Sequence, residues 1–385
     1  MMNLPEDIIF HILSRLPTKS LIRFKCVCKS WYALLQDHTF ILSHTINIFT
    51  KRNINANDND DNDDTHLLIM CRGNSTDKRA ILMSTNSSLE TFIKLENSWS
   101  FSDNYYGQMR LIGPCHGIVC LYGYPDKIAL CNPSINNEFK NLPVSVIPRP
   151  VDAKVRGGDV GLGYDPNTDD YKVIQILFCI SSHHGLVYQV EIYSLSTNSW
   201  RKYDANVPAN VMYTNIWSMV YKSKNFCWWA KNDDCEMILS FDMEKEIFQE
   251  TPLPYDIEEF GGEKRTTRAI IPWNEKISLV VYHVKEMDKV FDIWIMRELG
   301  SGGVGADWTK LSRIGPIVGV ERPLGFWKNG EFILENRYRE LVLYDPSRNE
   351  IKNLGLYGKR DRLEMLVYYP SIVSINKYKS SSMDK

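Results

Sequence analysis

The sequence predicts a small all-α segment of three helices followed by an all-β domain, a β-propeller of roughly six blades. Three observations predict it. The first 40 or so residues carry apolar side chains at helical spacing. From Leu67 onward the chain consists of short runs rich in Ile, Val, Tyr and Trp, punctuated by Gly, Pro, Asn and Asp, and one hairpin pattern recurs about every fifty residues. At a loose ~150 residues per domain, a chain of 385 residues has room for one large and one small domain. Its 44% hydrophobic and 24% charged content is that of a chain that buries a core.

The first helix opens at Pro5, a residue suited to a first turn, with Glu6 and Asp7 at the positive end of the helix dipole. Ile8, Ile9, Ile12, Leu13 and Leu16 follow at helical spacing, and Pro17 stops the helix. Leu21, Ile22, Phe24 and Val27 supply a second apolar set, and Trp31, Leu34 and Leu35 a third. Three helices in so short a segment are marginal as an independent core, so some of these side chains are expected to face a partner; a subdomain packed only on its own chain is the alternative. Lys51 to Thr65, where Asp58, Asp60, Asp61, Asp63 and Asp64 alternate with asparagines, has no apolar pattern and is expected to be a solvated loop or linker.

In the β region a hydrophobic strand ends in a polar turn, and a second strand opens on an aromatic or apolar residue. The copies are Ile81–Phe92, Ile128–Phe139, Val190–Trp200, Ile238–Phe248, Ile293–Trp308 with a longer turn, and Leu341–Ile351. Their marks, Ser84, Asn132, Ser194, Asp242, Trp294 and Asp345, are separated by 48, 62, 48, 52 and 51 residues, a kelch-like period. Earlier strands around Gly117–Tyr122, Tyr171–Ile180, Ser218–Trp229 and Gly325–Leu334 bring each unit to about four strands, as a blade requires. Such sheets expose two edges until neighbours cover them, so the ring must close. Leu366–Ile375 has no repeat of its own and is expected to pair near Leu67–Met70 for that purpose; a two-sheet sandwich is the alternative.

A net charge of −2, from 45 basic and 47 acidic residues, argues against a non-specific nucleic-acid surface. Nine cysteines without a C-x-x-C pair point to a reducing cytosol or nucleoplasm rather than a disulfide framework or zinc ribbon. Glu6 and Asp7 stand where a secretory signal needs basic residues, and apolar runs such as Ile174 to Ile180 are too short to span a membrane. The sequons at Asn74 and Asn86 are then expected to be chance matches.

Leu4-Pro5-Glu6-Asp7, Ile12-Leu13-Ser14-Arg15-Leu16-Pro17, Lys19-Ser20-Leu21 and Arg23-Phe24-Lys25-Cys26-Val27-Cys28-Lys29-Ser30-Trp31 closely resemble an F-box. The resemblance implies binding of the Skp adaptor, and through it a cullin scaffold. It implies this at Leu4, Pro5, Ile8, Ile12, Leu13, Leu16, Pro17, Leu21, Phe24, Val27, Cys28 and Trp31, some of which must instead hold the helices together. Gly113-Pro114-Cys115-His116-Gly117-Ile118-Val119-Cys120-Leu121, Cys131-Asn132-Pro133, Gly161-Leu162-Gly163-Tyr164-Asp165, Asn198-Ser199-Trp200-Arg201 and Pro323-Leu324-Gly325-Phe326-Trp327-Lys328 resemble the F-box-associated repeat region of plant receptors. Among these the chain looks most like the S-locus F-box group, which implies ubiquitination of non-self S-ribonucleases in pollen. The expected boundaries are 1–44 for the F-box, 45–66 for the acidic linker or loop, 67–376 for the propeller and 377–385 for a flexible tail.

Chemistry of its own is not indicated. Glycines 300, 302 and 305 satisfy G-x-G-x-x-G, but a strand follows where a nucleotide fingerprint needs a helix. His183 and His184 are adjacent and lack partners at ligand spacing, which suits a loop tip. No catalytic site, cofactor or metal is inferred. The tryptophans at 200, 228, 229, 294, 308 and 327 are expected in core or blade-to-blade packing, with one or two as interface anchors. Arg15, Lys19, Arg23, Lys25 and Lys29 against Glu6, Asp7 and Asp37 give the head +2, leaving −4 to the rest, a mild acidity that suits a basic target. Acidic candidates for substrate-facing loops are Asp58, Asp60, Asp61, Asp63 and Asp64, with Asp256, Glu258 and Glu259. The competing readings are an F-box receptor for an unrelated protein, a scaffold outside any ligase, and a propeller enzyme acting on a small ligand.

Overall fold

A computed structural model describes residues 5–54, 65–72, 79–86, 88–95, 109–123, 127–135, 138–204, 207–208, 210–211, 218–221, 224–232, 235–254, 266–273, 276–284, 286–299, 308–358 and 363–378. The head comprises α1 (Glu6–Leu13), α2 (Thr18–Phe24), α3 (Lys29–Leu34) and α4 (His38–Ile54). Pro5 and Pro17 sit immediately before α1 and α2 in extended conformation, and the missing proline N–H loses nothing at a helix start. Two expectations are corrected here. A fourth helix follows the three, and it runs through residues 45–54 of the expected 45–66 linker or loop. Asp37 starts it, its Oδ1 accepting from the Phe40 N–H at 3.1 Å and from Thr39 Oγ1. His44 Nε2 then pairs with Leu16 O at 2.9 Å, and Asn47 Nδ2 donates to Ser14 O at 3.2 Å, tying α4 to the end of α1.

Six antiparallel sheets follow. The strands are β1 (His66–Arg72), β2 (Arg79–Ser84), β3 (Phe92–Lys94), β4 (Met109–Cys115), β5 (Ile118–Gly123), β6 (Lys127–Asn132), β7 (Glu138–Asn141), β8 (Ala153–Asp165), β9 (Asp170–Ser181), β10 (Gly185–Ser194) and β11 (Ser199–Tyr203). They continue with β12 (Asn210–Val211), β13 (Ser218–Tyr221), β14 (Asn225–Lys231), β15 (Glu236–Asp242), β16 (Ile247–Pro252), β17 (Thr266–Trp273), β18 (Lys276–His283), β19 (Asp288–Met296) and β20 (Trp308–Val318). The last are β21 (Val320–Phe326), β22 (Phe332–Asn336), β23 (Glu340–Asp345), β24 (Glu350–Tyr357) and β25 (Glu364–Tyr368). Blades I to V are β4–β7, β8–β11, β12–β16, β17–β20 and β21–β24, and blade VI has the order β25-β1-β2-β3.

The innermost strands touch in sequence, β4 to β8, β8 to β13, β13 to β17, β17 to β21, β21 to β25 and β25 back to β4, so the sheets form a closed six-bladed ring and not a sandwich. Closure is by β25 on β1, with Leu67 opposite Val367 and Leu68 opposite Leu366. Of the expected closing strand Leu366–Ile375 only Leu366–Tyr368 is strand, as the end of β25, which begins earlier at Glu364; Ile375–Tyr378 is a 3-10 turn, which takes residues 377 and 378 out of the expected tail.

Every repeated hairpin of the sequence is the third-to-fourth strand pair of a blade. The recurrent Asn or Asp caps the turn. Asn132 Oδ1 accepts from Ser134 N at 2.9 Å, Asp242 Oδ1 from Glu244 N at 2.9 Å, and Asp345 Oδ1 from Ser347 N at 2.8 Å. Asn198, Glu246 and Asn349 occupy the left-handed region at φ 53, 55 and 56° near the end of their turns, where asparagine is the favoured non-glycine residue. Tyr193 and Tyr344 each donate to that asparagine, at 2.8 and 2.9 Å.

Candidate functional site

The head divides its apolar residues between two directions. On α1, Ile9 and Leu13 share one face and Ile8 and Ile12 another, because residues four apart lie above one another. Leu13 is 1% exposed and Leu21 0%, and with Leu35, Phe40 and Ile41 they belong to the core. Leu13 and Leu21 therefore hold the head together and leave the expected contact set. Ile8 at 45%, Ile12 at 50% and Val27 at 58% are exposed, as are Pro5, Pro17 and Cys28. Leu16, Phe24 and Trp31 are half-buried against the core, the last two as a ring pair with centroids 5.5 Å apart. Leu4 lies outside the described residues. Tyr32, 49% exposed and one helical turn after Cys28, joins the open surface and was missed in the sequence; its signal was an aromatic placed four residues after a candidate contact.

The head lies against one end of the ring. Thr18 Oγ1 donates to Pro370 O at 3.0 Å, and Lys25 Nζ to Ile372 O at 3.5 Å, in the segment after β25. Burial pulls the Lys25 pKa below the ordinary lysine value, against the raising effect of Glu138. That segment in turn rests on the β4–β5 and β6–β7 turns, at Gly117, Asn132 and Ser134. In a four-stranded antiparallel blade these first-to-second and third-to-fourth turns share one end. Second-to-third turns and blade-to-blade connections form the other, so this far end is the one the head leaves open.

Exposed aliphatic and aromatic side chains gather at the far end. Val144, Val146 and Val151 stand in the blade I–II connection, and Met287 and Tyr338 in the second-to-third turns of blades IV and V. His183 and His184 form the tip of the β9–β10 turn, with His183 Nε2 3.9 Å from Asp152. Asp256, Glu258 and Glu259, Asp58, Asp60, Asp61, Asp63 and Asp64, and the 300–305 glycine loop lie outside the described residues.

Tryptophan takes two roles. Trp228, Trp229 and Trp327 are buried. Trp200 and Trp308 are half-buried and tie their blades to the preceding one, Trp200 Nε1 donating to Pro143 O at 2.7 Å and Trp308 Nε1 to Pro252 O at 3.0 Å. Trp294 is half-buried under Lys310.

Comparison with known proteins accounts for both parts. The F-box domain profile matches residues 1–43, and the F-box associated beta propeller domain profile matches residues 73–375. The chain belongs to the F-box proteins with an F-box associated β-propeller domain. An F-box/kelch-repeat protein of Arabidopsis thaliana is 28% identical over 97% of this chain and 96% of its own length, and the F-box protein CPR1 of the same plant is 25% identical over 92% and 85%. Likeness to solved structures is slight, as with an oligogalacturonate lyase in complex with manganese at TM-score 0.38, 8% identity, 71% of this chain and 70% of that one.

The F-box thus presents Pro5, Ile8, Ile12, Val27, Cys28 and Tyr32 outward on a core of Leu13, Leu21, Leu35 and Phe40. Cys28 precedes α3 and its Sγ accepts from Trp31 N at 3.5 Å. Hydrogen bonding with Ser30, then with Trp31, draws its thiol below the ordinary value. In the propeller, burial pushes the Cys131 thiol up to about 12 and those of Cys120 and Cys227 higher still, so these thiols are packing groups. Among the described residues no group of three His, Cys, Asp or Glu side chains is arranged to hold a metal ion, and no helix is long and apolar enough to cross a membrane.

Proposed function

We propose that this F-box protein is the substrate-recognition subunit of a Skp–cullin–F-box ubiquitin ligase. The observation that carries the proposal is the split of α1 into a buried stripe ending at Leu13 and an open stripe of Ile8 and Ile12, continued by Val27 and Tyr32. A half-exposed aliphatic row on a small helical head is stabilised when a partner covers it, and the F-box family supplies the Skp adaptor as that partner. The far end of the ring is the substrate surface in this reading, because the head occupies the near end. The chain then acts without reagents of its own. It raises the effective concentration of substrate lysines near a charged conjugating enzyme, which requires rigidity and reach.

The proposed site of action is the cytosol or nucleoplasm, in keeping with nine free thiols. The first target to test is an S-ribonuclease, supported by the S-locus resemblance of the repeat motifs and by the mildly acidic balance outside the head. The experiment is affinity purification of the full chain from its native tissue with the proteasome blocked. Recovery of adaptor, cullin and a ubiquitinated protein supports the ligase reading, and adaptor without cullin refutes it. An S-ribonuclease among the captured proteins supports the narrower target, whereas a different ubiquitinated protein moves the chain to a general receptor.

A further inference from the structure

The segment Tyr369–Asn376 runs on from β25 between the head and blade I, and its main-chain groups are bonded on both sides. The carbonyls of Ser371 and Val373 accept from Asn132 Nδ2 at 3.1 and 2.7 Å. Those of Pro370 and Ile372 accept from the head, from Thr18 Oγ1 and Lys25 Nζ. Alternate residues thus turn to opposite sides, as the period of an extended chain dictates. Farther along, Glu138 Oε1 accepts from Ser374 Oγ at 2.8 Å and Asn376 N at 3.0 Å, while Oε2 accepts from Ile375 N at 2.9 Å. A Cβ on Gly117, whose φ is +79°, would lie 2.2 Å from Ser371 Cβ, so the strap sits where only glycine lets it. Ile372, Val373 and Ile375 are at most 5% exposed and share one apolar cluster with Leu13, Leu21, Leu35 and Phe40.

We infer that this C-terminal strap fixes the orientation of the F-box on the propeller. The residues joining α4 to β1 in sequence, 55–65, are a chain of eleven. Its length alone permits end separations up to roughly 40 Å and so does not by itself set how the head and the ring are oriented. The strap supplies the angle, because it bonds the head and the ring alternately along one extended stretch, residues 370–373. Ring closure ends with Tyr368, so the two tasks are carried by successive pieces of the same C-terminal stretch: β25 shuts the ring and the strap seats the head. The inference concerns the fold and holds whether or not the open face of the head takes an adaptor.

The test uses the full chain with a specific protease site placed within residues 55–64, cut after purification and run on a sizing column. The cut protein is expected to remain one particle. In Thr18→Val combined with Lys25→Met, which leaves the strap's own hydrogen bonds to blade I in place, and separately in Glu138→Ala, the head is expected to elute apart from the ring. The ring's thermal transition should be retained in both. Separation of the unmodified cut protein overturns the inference, since the strap would then not hold the head. Retention of the head in both variants also overturns it, because other contacts would be holding it. Should Glu138→Ala melt early, Glu138→Gln, with the same shape and weaker acceptors, gives the same readout.

Discussion

Replacing Ile8 and Ile12 together by alanine tests the division of the head. The two side chains are 45 and 50% exposed, so about half of each remains to be covered by a partner. Full burial of such a side chain contributes roughly 1.5–3 kcal/mol, so covering the remaining half contributes about 1 kcal/mol each. Truncating both should therefore remove about 2 kcal/mol of adaptor binding, a loss of roughly 30-fold in Kd. The change should appear mainly as faster dissociation. Titration calorimetry of the full chain with purified Skp adaptor measures it, and a thermal melt of the uncomplexed chain is the control. Because the removed atoms were already half in water, the melt should move little. Unchanged adaptor affinity in a folded double variant would remove the outer stripe from the interface and with it the main support for the proposed function.

Leu21→Ala lies on the other side of the division: it should destabilise the head by about 2–5 kcal/mol, seen as early loss of helical signal in denaturant, and a neutral effect would mean that Leu21 is not core. Lys172 Nζ bridges Asp165 Oδ2 and Glu246 Oε1, both at 2.7 Å, and Met243 O at 3.0 Å, joining blades II and III. Lys172→Met leaves Asp165 without its cation and Glu246 with Arg201 alone and should cost about 3–5 kcal/mol in a urea titration; an unchanged midpoint would deny the cluster a structural role. Burial alone would raise the pKa of Asp165 and of Glu246, but hydrogen bonds from Lys172, Thr168 and Asn167 to the first, and from Lys172 and Arg201 to the second, outweigh it and hold both below their ordinary values of 3.8 and 4.5. Their contribution is present above those ordinary values and is lost as pH falls through the lower folded ones, so stability against pH should decline only in acid below them, and Lys172→Met should flatten that decline. Gly161→Ala places a Cβ 2.7 Å from the Phe226 ring and 2.8 Å from Trp228, so overpacking of about 1–3 kcal/mol should lower the melting temperature; no shift would mean that the rings can move aside.

Much of the fold was legible because its signals are local. The blade hairpins could be found from sequence since Asn132, Asp242 and Asp345 cap their own turns within two residues, and such a bond needs nothing from the rest of the chain. The fourth helix was less visible. Its residues His38–Ile54 scatter Phe and Ile among Thr, Ser and Asn with no clear stripe, and β-branched residues favour helix weakly. Part of what fixes it is bonding to distant carbonyls, from His44 to Leu16 and from Asn47 to Ser14. Only Asp37, an acceptable N-cap, announced it.

The sequence by itself determined the two-part plan, the six hairpin copies and the F-box motif, because apolar period and turn chemistry act over a few residues. Tertiary structure decided which apolar residues of the head are spent inward, Leu13 and Leu21, and which stay open, Ile8 and Ile12, although all four are aliphatic and none is marked by its neighbours. It also decided which end of the ring the head occupies, since that depends on where Thr18 and Lys25 meet a strap more than 340 residues away. The physical reason is the same in both cases: burial is a property of what packs against a side chain, and the packing partner is chosen by the folded chain as a whole.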